Sequence, residues 1–248
     1  MKDGRQPTRC EMTRVCYANA GFAPGTDSRI MKLFVTGACG YKGTVLVPKL
    51  LAAGHEVLAF DIMWFGNYLR PHSGLTVVQG DVRDVDEIHL EGADAIVHLA
   101  SVANDPCGDL DPKLTWEIGC LATMQLADKA ARAGVRRFLY ASSGSVYGVK
   151  DEPQVTEDLT LDPISEYNKT KMVAERVAEH APARITVTES NDPRSYRINS
   201  DRLLATGFRP KKTVDDAIRE LVHRFRRGEL RDEERFHNLE WMRREVVN

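Results

Sequence analysis

From Met31 onward the chain alternates between two hydrophobic periods. The run KLFVT has strand length, and after it come a glycine-rich turn, a helical pattern from about Tyr41 to Ala53 closed by Gly54, and a second apolar run, EVLAFD. Further short apolar runs at LTVVQGD (75–81), ADAIVHLA (93–100) and RRFLYASS (136–143) are separated by helix-like segments, the spacing of a parallel sheet covered on both faces. Pro48 falls inside the first helical pattern, where a proline costs roughly 3 kcal/mol, and predicts a kink. The helix before RRFLYASS is specified at both ends, with Asp111 as N-cap, Pro112 in the first turn and Gly134 beyond the end; Leu114, Ile118 and Leu121 fall on one face. A second helix is predicted over about 165–179. A third starts at Thr213, where Asp216 completes a capping box, and stops near Gly228. The stretch DEERFHNLEWMRREVV also reads as helical. Residues 1–30 show no sustained periodicity and predict a poorly ordered leader. The expected organisation is a leader over 1–30, a doubly wound parallel α/β domain over 31–180 and a shortened helical C-terminal region over 181–248.

Composition narrows the function classes. Charged residues make up 28% of the 248, but the net charge is only -2, so no global field draws in nucleic acid or an anionic membrane. Cys10, Cys16, Cys39, Cys107 and Cys120 form an odd, scattered set without a C-x-x-C pair, which argues against a disulfide framework and structural zinc and fits a reducing, cytoplasmic setting. No metal site is expected, since the seven histidines lack ligand spacing; His98, on an apolar strand, is expected to be packed. No apolar run is long enough to span a bilayer. The expected partners are small molecules and a second copy of the chain.

The turn Gly37-Ala38-Cys39-Gly40-Tyr41-Lys42-Gly43 follows a strand and opens a helix. Glycines there allow positive φ, close approach of an anion to bare amides at the helix N-terminus, and tight helix–strand packing. Asp61 ends the second strand, 18 residues beyond Gly43, where a carboxylate can accept from both hydroxyls of an adenosine ribose and repel a 2′-phosphate, favouring NAD over NADP. A plain strand-end turn is the alternative for Asp61. Asp81 and Val82 after the third strand, and Leu99, Ala100 and Ser101 after the fourth, would line the same crevice, although Asp81 reads equally as a turn residue. Trp64, Phe65 and Tyr68 either cover the adenine or simply pack. The run from His223 to Arg227 is read as the exposed side of a helix.

Tyr167 and Lys171 stand four apart on a predicted helix and share a face. An ammonium near a phenol favours the phenolate, making a usable acid/base near neutrality. The TGxxGxxG turn, the aspartate after the second strand, HLAS, SSGSVYG and YNKTK, in this order over about 31–180, resemble the extended short-chain dehydrogenase/reductases that act on nucleotide-activated sugars. The resemblance implies a Rossmann-type domain holding NAD. It further implies Tyr167 as base, Lys171 on the nicotinamide ribose, and Ser143 bonding the reacting hydroxyl with Ser145 nearby. It implies an epimerisation or dehydration of a nucleotide sugar and a homodimer pairing the helices at about 112–133 and 165–179. Two departures stand out. The region between the YNKTK helix and RITVTESNDPRSYRINSDRLLATGFRP lacks the many tens of residues that family members carry there, and Gly119 replaces the family's usual asparagine. Asp192 and Arg194, with Arg197, are candidate diphosphate contacts or a solvated loop. Two alternatives follow: an NAD(H)-binding protein with weak or no catalysis, and a reductase of small carbonyl compounds.

Overall fold

This computed structural model describes residues 29–152, 154–180, 199–229 and 233–247. Residues 1–28 of the expected leader lie outside them. Five strands, β1 (Lys32–Thr36), β2 (Glu56–Asp61), β3 (Leu75–Gln79), β4 (Ala95–His98) and β5 (Arg137–Tyr140), form one sheet in the order β3-β2-β1-β4-β5 with every pairing parallel. The order reverses between β1 and β4. This is the Rossmann-type doubly wound arrangement, with its switch point at the carboxyl end of β1.

Alternation along β1 divides the core between the two faces. Phe34 joins a cluster with Phe60, Ile96, Leu126 and Phe138, whereas Val35 joins another with Val47, Leu51, Val57 and Ala59. Helix α1 (Gly43–Ala52) supplies Val47 and Leu51 and runs through the exposed Pro48 as one helix. After β4 come α2 (Asp105–Gly108), α3 (Pro112–Trp116), a π-helical turn over Glu117–Ala122 and α4 (Thr123–Arg132). Asp111 caps α3 by accepting from the Leu114 amide at 2.9 Å.

The single helix expected over about 112–133 is therefore interrupted. In a uniform α-helix Leu114, Ile118 and Leu121 share a face, but the wider π turn shifts the register. Leu114 and Ile118 are buried, Leu121 is 50% exposed, and Ala122 and Leu126 take the inward positions. Gly119 lies within this turn, where a Cβ would come 2.7 Å from Thr170 Oγ1 on the facing helix, α5 (Glu166–His180). Its helix-propensity cost of about 1 kcal/mol is set against that close approach.

The C-terminal region forms α6 (Asp201–Ala205), α7 (Val214–Arg226) and α8 (Asn238–Glu245). α7 opens with the capping box of Thr213 and Asp216, and Gly228 past its end has φ 67°. The His223–Arg227 run is exposed, with Arg224 paired to Glu220 and Arg227 to Glu229. Among the described residues no helix is long and apolar enough to cross a membrane and no acidic, histidine and cysteine cluster could hold a metal. Cys39, Cys107 and Cys120 are buried free thiols.

Candidate active site

Beyond β1 the backbone turns at Gly37, φ 65°, where a Cβ would lie 2.6 Å from the Ala100 amide nitrogen. Both the left-handed conformation and the contact with the carboxyl end of β4 require glycine. Leu99, Ala100 and Ser101 are thereby brought beside the glycine turn; the Leu99 amide donates to Thr36 O at 3.1 Å. The amides of Tyr41, Lys42 and Gly43, at the amino end of α1, find no acceptor among the described residues. Such donors, with the helix dipole behind them, suit a phosphate group. Asp61 reaches across to the turn: Oδ2 accepts from the Cys39 amide at 2.9 Å and Oδ1 from the Met63 amide at 2.6 Å. The carboxylate is fixed beside the turn with lone pairs to spare.

Asp81 has a different setting. It accepts from Arg83 Nη2 at 2.6 Å, Nε at 3.0 Å and the Arg83 amide at 2.9 Å, and Arg83 reaches on to Glu117 at 3.2 Å. Burial pushes the Asp81 carboxyl up, but the hydrogen bonds and charge of Arg83 outweigh it and hold the group below the usual carboxylate range. Its side chain thus belongs to a turn and an ion pair, and Val82 beside it is buried in the core. Trp64 and Phe65 pack against the same core cluster, and Tyr68, 44% exposed, meets Phe236.

The second half of the site joins β5 to α5. Lys171 is 2% exposed, and its Nζ donates to Ala141 O at 2.9 Å, immediately before Ser142 and Ser143. The ammonium lies 4.7 Å from the Tyr140 ring centroid and 5.7 Å from that of Tyr167, within cation–π range. Burial, then the charge of Lys42, pull the Lys171 pKa down to about 7, with Glu175 opposing them. Ser143 Oγ accepts from the Ser145 amide at 3.2 Å and caps the short helical turn Gly144–Tyr147. Ser145 is buried; the buried Ser142 hydroxyl has no partner among the described residues. Tyr167 is half-buried, one turn before Lys171.

Several residues of this arrangement escaped the sequence reading. The Asp105 carboxylate accepts from the Ser165 hydroxyl and from Asn168 Nδ2 at 3.0 Å, and Ser165 Oγ accepts from the Asn168 amide at 3.2 Å, so α2 holds the first turn of α5. The Asn-Asp-Pro of residues 104–106 is a helix-start signal that could have drawn attention to this anchor. His98 is packed as expected, with Nδ1 2.6 Å from Thr36 Oγ1 and Nε2 2.9 Å from Thr123 Oγ1. Burial, then Lys171, push its pKa down to about 3 and keep it neutral. Asp192, Arg194 and Arg197 lie outside the described residues. A cleft of about 420 Å³ between Trp64, Arg83, Leu114 and Val246 is lined by none of Gly37, Ser143, Tyr167 or Lys171.

Residues 33–188 match the NAD dependent epimerase/dehydratase family. The UDP-glucose 4-epimerase of Mycolicibacterium smegmatis is 34% identical over 154 residues, covering 58% of this chain and 49% of that protein. Among solved structures, MoeE5 in complex with UDP-glucose and NAD is 31% identical with a TM-score of 0.54, covering 64% of this chain and 52% of that one. The dTDP-glucose 4,6-dehydratase DesIV from Streptomyces venezuelae, solved with NAD bound, is 29% identical with a TM-score of 0.60, covering 64% and 55%. The chain spans about half the length of the curated relatives it matches.

Proposed function

Since the chain belongs to the NAD dependent epimerase/dehydratase family, we propose that it epimerises or dehydrates a nucleotide-activated sugar with NAD as cofactor. The observation that carries this reading is the buried Lys171, which ties the Tyr167 helix to the strand end bearing Ser142 and Ser143. Tyr167, as phenolate, takes the proton of the reacting sugar hydroxyl, and the Lys171 ammonium stabilises that phenolate. Ser143 orients the same hydroxyl, with Ser145 beside it. Bound NAD supplies a two-electron acceptor for the sugar carbon, regenerated within the cycle.

The residues present fit that cofactor. Gly37, Cys39, Gly40, Tyr41, Lys42 and Gly43 form the turn for its diphosphate, to which the amides of Tyr41, Lys42 and Gly43, without an acceptor among the described residues, can donate. Asp61 accepts from the adenosine ribose and disfavours a 2′-phosphate. Leu99, Ala100 and Ser101 border the crevice, the orphaned Ser142 hydroxyl is a further polar contact within it, and Lys171 holds the nicotinamide ribose. Asp81 and Val82 contribute through the loop they shape. UDP-glucose is the first substrate to try, since relatives of this chain are UDP-glucose 4-epimerases. Asp192 and Arg194 are candidates for its diphosphate.

We further propose a homodimer in the cytoplasm and a substrate region formed by residues 181–248. The test has two parts. Calorimetry should show NADH binding that Asp61→Ala weakens, and a panel of UDP-, GDP-, CDP- and dTDP-sugars should show turnover. Binding without turnover would replace the enzyme reading by that of a cofactor-binding protein; absence of binding would overturn both.

A further inference from the structure

The loop after Asp61 is held on two sides. Toward the glycine turn, Asp61 accepts from the Cys39 amide, and Cys39 Sγ lies 3.6 Å from Asn67 Oδ1, which also accepts from the Leu69 amide at 2.9 Å. Within the loop Met63 adopts φ 62°, and the Gly66 amide donates to Met63 O at 3.0 Å. A non-glycine residue in that region costs on the order of 1 kcal/mol and persists only where its surroundings impose it.

The surroundings come from the far end of the chain. The Phe65 ring meets Trp241 of α8 at 5.0 Å between centroids with a 51° tilt, and Tyr68 meets Phe236, just before α8, at 5.9 Å and 52°. Tilted pairs of this kind are attractive beyond their buried area. Met242 is 2% exposed in the core cluster that also receives Trp64, Phe65, Leu239 and Val246. α8 has eight residues and no side-chain cap, so it is unstable alone and owes its order to these contacts. It also packs against α2, whose Asp105 anchors the first turn of α5.

We propose that α8 is a clasp on the adenosine end of the cofactor site, and that Trp241 and Phe236 are positioning residues that hold the 62–69 loop in its cofactor-binding conformation. The proposal rests on the NAD reading above. α8 reaches both halves of the site, the Asp61 loop directly and α5 through α2. Cofactor affinity therefore depends on side chains that touch no part of the cofactor.

The experiment uses the full chain and NADH. If loss of the ring pair leaves a tenth of the loops competent, the apparent affinity falls about tenfold, so Trp241→Ala and Phe236→Ala should each weaken NADH by about that factor. Trp241→Phe, which restores a ring, should return it to within about twofold of the parent on the same argument. Leu126→Ala in α4 is the control: it lowers the melting temperature through a core cavity and leaves NADH affinity unchanged. Should Trp241→Ala not fold, Trp241→Leu, which keeps apolar volume without the ring, is read in the same way. Hydrogen exchange decides independently of the cofactor, because amides 62–69 should exchange faster in the Trp241 variant than in Leu126→Ala. If the parent binds no NADH, the functional reading fails and exchange alone judges the clasp. The clasp is overturned if folded Trp241→Ala or Trp241→Leu binds NADH like the parent, if Leu126→Ala weakens it as much, or if exchange over 62–69 in those two Trp241 variants is unchanged.

Discussion

α5 and α7 are both amphipathic helices with marked starts, yet they end in opposite environments. α5 is capped by Ser165 and buries Asn168, Thr170, Lys171 and Ala174. α7 is capped by Thr213 with Asp216 and buries nothing among the described residues; Val214, Ile218, Leu221, Val222 and Phe225 are between 42% and 73% exposed along one stripe. Caps and periodicity decide that a helix forms, not what it faces. What separates the two is that α5 carries polar groups into the core, where burial is costly without partners. The arrangement makes sense as a site, and less so as a device for stability.

That contrast breaks most sharply at Tyr167. Tyr167→Phe should lower turnover of a nucleotide sugar by about 10²–10⁴, the range for a positioned acid/base, while NADH affinity stays near that of the parent. Steady-state kinetics beside calorimetry separate the two, and a variant with parental turnover would remove α5 from the chemistry.

Lys171 gives a pH signature. Its pKa is lowered by burial from 10.5 to about 7, so below pH 7 both folded and unfolded chains hold the proton and the cost of the buried ammonium is felt in full. Above pH 7 the folded protein releases a proton that the unfolded chain keeps, and stability rises with pH. Denaturant titrations of the cofactor-free protein should show a gain of about 2 kcal/mol between pH 7 and 8.5. His98, with its pKa near 3, acts below its ordinary 6.5, and burial raises the Cys39 thiol to about 11, so neither interferes in that window. Lys171→Met should be more stable at pH 7 and flat across the same range; parallel curves would contradict the assignment.

A smaller effect is expected one layer out. Asp105→Ala removes the acceptor of Ser165 and Asn168 and leaves a buried amide unpaired, at a cost of about 1–3 kcal/mol. Because the first turn of α5 loosens, turnover should fall by more than NADH affinity. An equal loss in both would make Asp105 a general stabiliser.

The sheet was legible because each strand is a short apolar run, and β1 and β2 fall at Lys32–Thr36 and Glu56–Asp61 where the pattern ends them. The glycine turn, Asp61 and the Lys171 side of α5 were legible because their chemistry requires particular residue types at fixed spacing. Leu121 was misplaced, since periodicity assumes 3.6 residues per turn and the π segment breaks that assumption. The anchoring role of Asp105 and the clasp of Trp241 on Phe65 were hidden because they join residues 60 or more apart whose types, an aspartate and two aromatics, occur everywhere. The same ambiguity left Trp64, Phe65 and Tyr68 undecided between covering a base and packing.

The gentlest test falls on α7. A largely exposed apolar side chain contributes little, so Ile218→Asp, at a position 52% exposed, should change the unfolding free energy by no more than about 0.5 kcal/mol. The added charge lies one turn after Val214, near an acidic first turn that already favours anions by the helix dipole. Urea titration of the purified protein measures this directly. A loss above about 1 kcal/mol, the scale of a buried contact, would mean that the stripe is covered in solution, and the difference between α5 and α7 would then be one of partner, not of burial.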